Sequence, residues 1–335
     1  MKRILACIAS AAMLCSCASS ASEKHSRSVF AMDTYMELSA YGDNADKGLS
    51  AACDKISVLE KLWSVTDKDS EIYKLDHSDG KPFSVSGETA SLVSFAVDMN
   101  KKTGGALDIS LYPIVAEWGF TTGEYKVPDS SRISELLQNV GADRITVENN
   151  TVTLPEGMMI DLGSVAKGAA GDIAAETLRS CGVDAAVLDL GGNIRTVGTK
   201  PDGSKWVIGI RNPFSDGLLG TLEVSETNIV TSGGYERFFV QDCKRYHHII
   251  DPETGRPAES GLLSASVIGS EGRLCDALST AIYVIGAEEA EELRRTMGTF
   301  DYILVTDSGE VFVSEGISGS FEPSDSFEGK VRVIK

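Results

Sequence analysis

Basic charge is scarce in this sequence of 335 residues: 31 Lys and Arg stand against 49 Asp and Glu, leaving a formal net charge of −18. A nucleic-acid partner needs a basic face, so that class is excluded, and any phosphorylated ligand must find its positive charge locally. Histidine is scarcer still, with four in the chain, and the seven cysteines form no C-x-x-C pair, which excludes a zinc ribbon and a thioredoxin-like motif. Long apolar runs are missing as well. The sustained one, at the N-terminus, is too short to span a bilayer as a stable helix. What is present, 42% apolar and 24% charged residues, describes a globular chain long enough for one large core or two packed lobes.

Residues 1–17 have the layout of a secretory signal: a basic start at Lys2 and Arg3, a short apolar stretch, then small residues. Leu14-Cys15-Ser16-Cys17 resembles a bacterial lipobox, with Leu three residues before Cys17 and a small residue just before it. The expectation is a signal peptide over 1–16, a mature chain that begins at a lipid-modified Cys17, and a polar tether over 17–28. Cleavage nearby to give a soluble secreted protein is the alternative. Lipidation would hold the folded part, 29–335, at the cell membrane on its periplasmic or extracytoplasmic side.

That folded part mixes two periodicities. Apolar residues at Leu49, Ala52, Cys53, Ile56, Leu59 and Leu62 predict a helix over 46–63, and further helices are expected over 88–102, 132–139, 165–180, 276–285 and 287–297. Residues 29–41 alternate like one strand. Shorter β-rich runs at 145–147, 152–154, 185–190, 206–210, 229–232, 238–240, 263–268, 302–306 and 311–314 are separated by turn signals such as Glu148-Asn149-Asn150 and Asp307-Ser308-Gly309. Helices and hairpins without strict β-α-β alternation predict a single compact α+β unit of mixed or antiparallel sheets with packed helices.

Three segments carry candidate chemistry. In Ile160-Asp161-Leu162-Gly163-Ser164-Val165-Ala166-Lys167-Gly168, Gly163 allows a sharp turn and Ser164 is a natural N-cap, which puts Lys167 at the third helical position. A cation there opposes the helix dipole by roughly 0.3–1 kcal/mol, so the arrangement makes sense where a phosphate sits at the helix end. A solvated lysine on an ordinary helix is the plain alternative. Gly163 to Gly168 starts like a Walker A loop but continues with Ala169 instead of Lys, so that match fails. Ser164-Val165-Ala166-Lys167 fits the S-x-x-K of penicillin-recognising enzymes, yet Lys102-Thr103-Gly104 precedes it where that family's K-T-G follows. In the second segment Asp276 and Thr280 lie one helical turn apart with Ser279 beside them, a set of hard oxygens that suits Mg²⁺ when substrate phosphates supply the remaining ligands. The third runs from Thr231-Ser232-Gly233 through Arg237 to His247-His248-Ile249-Ile250-Asp251-Pro252. Neighbouring strand residues face opposite ways, so the two histidines cannot easily share a metal; one can reach a site as base while the other is structural.

These segments, taken in order, resemble the ApbE family, bacterial FAD:protein FMN transferases once described as thiamine-biosynthesis lipoproteins. Met32-Asp33-Thr34 looks like the family's Met-Gly-Thr, Leu107-Asp108-Ile109-Ser110 with Trp118-Gly119-Phe120 like its F-D-x-T and W-G-F block, and Asp161 to Gly168 like its D-x-G-x-x-A-K-G. Leu188-Asp189-Leu190-Gly191-Gly192-Asn193, Thr231-Ser232-Gly233, the His247 to Pro252 run and Asp276 to Ala281 continue the series. The resemblance implies a T-fold-related architecture and FAD bound by Met32, Ala106, Leu107, Asp108, Asp161, Lys167 and the backbone near Ile250. It implies Mg²⁺ held by Asp276 and Thr280, with Ser164 and Ser279 contributing, and transfer of FMN to a Thr or Ser hydroxyl of exported Nqr- or Rnf-type flavoproteins. The transfer needs a base for the hydroxyl proton, for which His248 is the candidate, with Asp161 and Lys167 as its catalytic companions. Two departures stand out: Asp33 replaces the usual Gly, and Thr66 replaces a flavin-contacting Tyr. The second bears on flavin stacking and on the balance between transfer and hydrolysis, so an FAD pyrophosphatase and a non-catalytic flavin-binding lipoprotein are the alternatives.

Overall fold

The computed structural model describes residues 23–335; the expected signal peptide and Cys17 lie outside the described residues. Its centre is a nine-stranded sheet in the order Lys24–Ala31, Thr34–Tyr41, Ala186–Asp189, Ile194–Val197, Asn228–Gly233, Leu262–Gly269, Asp301–Thr306, Val311–Ser314 and Val331–Ile334. Neighbours run antiparallel except the last pair. The α+β architecture expected from the mixed periodicities is the one observed.

The central strands of this sheet are covered on both faces, so side chains that point either way are buried. Tyr302 and Leu304 point into the principal core, while Ile303 and Val305 on the same strand point into a second core. Three helices cover the first face: α1 (Ala45–Trp63), α6 (Ala166–Ser180) and α7 (Gly272–Ile285). Between α1 and α6 in the chain come α2 (Glu71–Asp76), α3 (Gly87–Lys102), α4 (Tyr112–Glu117) and α5 (Ser130–Leu136). A three-stranded sheet of Trp206–Arg211, Leu218–Val224 and Phe321–Pro323 closes the second core. Under α4 and α5 a third cluster gathers Ile114, Trp118, Phe120, Ile133, Leu136 and Ile250.

Four expectations change. Residues 29–41 form two strands, β1 (Lys24–Ala31) and β2 (Thr34–Tyr41), because Met32 and Asp33 both turn with positive φ, 51° and 58°. That is the two-residue hairpin geometry that Asn-Gly usually marks, so Met-Asp hides it. Since β1 begins at Lys24, residues 24–28, expected to be tether, are part of the sheet. The helix expected from Val165 begins at Ala166, and Ser164 lies in the preceding turn instead of capping it. Asp161 and Leu162 steer the chain there: Asp161 Oδ1 accepts from the Gly163 amide, and the Leu162 carbonyl accepts from the Val165 and Ala166 amides. Lys167 is therefore the second helical residue, not the third. Finally, α7 starts one turn before Asp276, its first amides capped by Asp172 of α6, which accepts from Gly272 N at 2.7 Å and Arg273 N at 3.2 Å.

Candidate functional site at the start of α6

The N-terminus of α6 packs directly against the first turns of α7. No side chain fits between them: a Cβ on Gly168 would lie 2.1 Å from the Gly272 carbonyl oxygen and 2.8 Å from Asp276 Cβ. This crossing puts Asp276, 4% exposed, within reach of the helix end, where its Oδ2 accepts from Gly168 N at 2.8 Å. Oδ1 accepts from Asn193 Nδ2 at 3.1 Å. Asn193 is delivered by a tight turn in which Gly191 and Gly192 have φ of 74° and 95° and Asp189 Oδ1 accepts from Gly192 N. One first-turn amide expected to face an anion is thus already bonded to a carboxylate. Ser279, fully buried, donates to the Asp276 carbonyl, and Ser232 Oγ lies 2.8 Å from Ser279 Oγ and 3.3 Å from Thr280 Oγ1. Each Asp276 oxygen keeps a lone pair after its one hydrogen bond, and the Thr280 hydroxyl is the more open of the two on that face. One carboxylate with neutral hydroxyls fits the few-ligand chemistry of Mg²⁺ and does not fit zinc; among the described residues no group of three or more His, Cys, Asp or Glu could hold a metal.

Beside this lies a cluster of mixed charge. The Asp161 carboxyl is held above its ordinary range by burial, against which the Gly163 amide, Lys167 and Arg237 pull it down. Arg237 bridges three segments: it pairs with Asp33 Oδ2 at 3.1 Å, donates to the Phe120 carbonyl at 2.9 Å, and its own carbonyl accepts from His248 N at 3.1 Å. His248 Nδ1 lies 3.2 Å from that same carbonyl, which can only accept, so Nδ1 carries the proton and Nε2 keeps its lone pair. Burial, followed by the positive charges of Arg237 and Lys167, pushes the His248 imidazole down to about 3. His247 faces the other way: its Nε2 is 3.1 Å from the Ala258 carbonyl and its ring meets Tyr283 edge-on, the structural role expected for one of the pair.

Other expected residues are placed as follows. The half-buried Met32 donates its amide to Glu60 Oε2 at 2.7 Å, which together with the Asp33–Arg237 pair holds the hairpin turn at the site's edge. Asp108 binds its own loop, accepting from Ser110 N, Ala142 N and Asn100 Nδ2, and so fixes Ala106 and Leu107 just ahead of it. Ile250 is buried on a short strand following His248. Thr66 hydrogen-bonds to Ser64, with its hydroxyl and its amide both 3.3 Å from Ser64 Oγ. Arg237, Asn193 and Asp76 were not singled out as site residues by the sequence. Arg237 and Asn193 had a signal, since each lies in a segment already picked out, Arg237 in the one that leads to His247-His248 and Asn193 at the end of the Leu188–Asn193 block; Asp76 becomes visible only through what it touches.

The model of the ApbE family matches residues 32–304. The chain belongs to the ApbE family. It is 33% identical over 341 residues to a FAD:protein FMN transferase of Vibrio cholerae, covering 96% of this chain and 99% of that one. A FAD:protein FMN transferase of Treponema pallidum is 32% identical, with 88% of each covered. Among solved structures, the ApbE protein of Thermotoga maritima superposes with a TM-score of 0.82 at 28% identity, covering 92% of this chain and all of that one. The flavin transferase ApbE of Vibrio cholerae gives 0.77 at 28% identity, with 92% and 99% covered. Asp161, Lys167, His248 and Asp276 all lie inside the ApbE match.

Proposed function

We propose that this protein transfers FMN from FAD to a threonine or serine hydroxyl of an exported acceptor protein through a phosphoester bond, releasing AMP. The observation that carries the reading is the meeting, at one helix end, of Lys167 and Arg237 with a buried Asp276 and a histidine whose Nε2 is held unprotonated. On a chain of net charge −18, this is where a pyrophosphate finds local positive charge. FAD occupies the space bounded by Met32, the Ala106–Asp108 stretch and Asp161. Asp276 and Thr280 would hold Mg²⁺, joined by Ser164 and Ser279, and the metal would supply positive charge to offset the pyrophosphate oxygens.

His248 Nε2 takes the proton from the acceptor hydroxyl as its oxygen bonds to the FMN phosphorus and the bond to the bridging oxygen breaks, that oxygen leaving with AMP. The base is weak in the ligand-free protein because burial, and after it the charges of Arg237 and Lys167, disfavours the protonated ring. An anionic pyrophosphate offsets those charges and restores basicity when it is needed. Anchoring through Cys17 would put the enzyme on the outer side of the cell membrane, where Nqr- or Rnf-type acceptors present their hydroxyls.

Incubating the full chain with FAD, Mg²⁺ and such an acceptor, and recording acceptor mass and nucleotide products, tests this. An FMN adduct with AMP is expected; free FMN with AMP would make it a pyrophosphatase, and intact bound FAD a flavin-binding protein. Asp276→Asn keeps an acceptor for the Gly168 amide, so it should fold as the parent does while transfer drops at least about a hundredfold, the scale of one lost electrostatic contact in a transition state. Full activity of that variant without added metal would remove Asp276 from the mechanism.

A further inference from the structure

Beneath Asp161 lies a second carboxyl group that the mechanism does not use. Asp76, the last residue of α2, accepts from the Ile160 amide through Oδ1 at 2.8 Å, so it grips the backbone one residue before Asp161. Its other oxygen, Oδ2, is buried and has no hydrogen-bond partner. An ionised carboxylate in that position would leave a full negative charge unpaired in the interior, whereas a neutral carboxyl group there costs far less. Among the described residues no cation acts on it. Asp161 faces it from the approach to α6 and Tyr112 from α4, while Tyr73 shares its helix and stacks at 4.1 Å on the ring of His77, the residue that ends it. Lys167 and Arg237 act on Asp161, the carboxylate nearer the site.

We propose that Asp76 is a positioning residue that works in its neutral form: it pins the Ile160 amide so that Asp161 is presented to the flavin nucleotide, and its proton keeps a second negative charge away from an anionic ligand. Burial, reinforced by the Asp161 charge, raises the Asp76 carboxyl to about 8, so the proton is held through neutral pH. The inference rests on the reading that FAD binds at Asp161 and Lys167. When Asp76 ionises, its new charge repels both Asp161 and the ligand, and binding weakens. The same proton leaves a mark on stability. Between pH 4 and 8 the unfolded chain has released it and the folded chain has not, so this residue lowers stability as pH rises through that window.

The test is FAD affinity of the full chain, read by flavin fluorescence from pH 6 to 9.5. For the parent we expect an inflection near 8, with affinity falling by up to about tenfold per pH unit above it. Asp76→Asn keeps an oxygen for the Ile160 amide and cannot ionise; it should bind within about threefold of the parent at pH 6.5 and lose the alkaline decline. Asp76→Leu should weaken binding at every pH. A second readout is independent of the ligand: the melting temperature of Asp76→Asn relative to the parent should climb from pH 4 to 8. Binding by the parent that is flat to pH 9.5, or an Asp76→Asn variant that keeps the decline, overturns the inference while leaving the flavin site intact. Absence of FAD binding at any pH would instead overturn the functional reading and this inference with it.

Discussion

At the residue scale, the site is built from side chains whose charge state is set by their neighbours, and His248 is the clearest case. Its ring is oriented by the Arg237 carbonyl, and burial with the Arg237 and Lys167 charges drives its basicity down. The consequence for stability follows from proton counting. An unfolded chain protonates this histidine as pH falls through its ordinary value near 6.5, whereas the folded chain does so only near 3, so stability is full above 6.5 and declines across that window. Following the ring protons by NMR should show His248 neutral from pH 7 down to 4. Substituting Arg237→Gln removes the nearest positive charge and should raise the midpoint toward the ordinary value. A parent midpoint near 6.5 would show that the ring is more hydrated than the structure indicates. The charge state was not legible from a His-His dipeptide, although His248 was already the candidate base; the two different carbonyls, of Arg237 and Ala258, hold the rings apart and leave His247 to the core.

At the scale of elements, function depends on how closely α6 and α7 approach. Small residues make this possible: α6 buries Ala166, Gly168, Ala169, Ala170, Gly171, Ala174 and Ala175 along its length, and Gly168 and Gly272 face each other where a Cβ would collide with backbone. The helix itself was readable from its 3.6-residue pattern, and so were α1, α3 and α7, since each buries one apolar stripe. Its first turn was not. Sequence logic placed a capping serine at 164, whereas Asp161 and Leu162 organise the turn and Asp276 from another helix takes the Gly168 amide. Such a cap lies more than a hundred residues away in the chain, and local propensity has no view of it. The β1–β2 turn escaped for a related reason, its positive φ values being imposed by Glu60 and Arg237 and not by glycine. If the crossing positions the site, Gly168→Ala should cost about 1–3 kcal/mol in a denaturant titration, the usual penalty for overpacking. Transfer should fall by more than that loss of folded protein explains, because the Gly168–Asp276 contact is pushed apart. A variant of unchanged stability and activity would mean the helices can separate freely.

For the whole molecule, the sheet determines where a lipid anchor would leave the active site. Strand β1 is an edge of the nine-stranded sheet and ends at Ala31, next to the Met32–Asp33 turn that borders the site. Because β1 already begins at Lys24, residues 18–23 alone separate it from Cys17, and six residues span at most roughly 20 Å. With Cys17 lipidated, the body of the enzyme would stay close to the bilayer, and its net charge, −20 once Lys2 and Arg3 leave with residues 1–16 (29 basic against 49 acidic residues), would keep it off an anionic surface except where it is tethered. Among the described residues no helix is long and apolar enough to cross a membrane. A tether this short raises the effective concentration of a membrane-bound acceptor toward the millimolar range. The Cys17→Ala variant should therefore move from the membrane fraction to the soluble fraction and keep its transfer rate toward a soluble acceptor domain. Toward an acceptor embedded in vesicles at micromolar concentration, its rate should fall at least about tenfold. Equal membrane partitioning of variant and parent would rule out Cys17 as the anchor, and equal rates on the vesicle acceptor would show that docking, not tethering, brings the two proteins together.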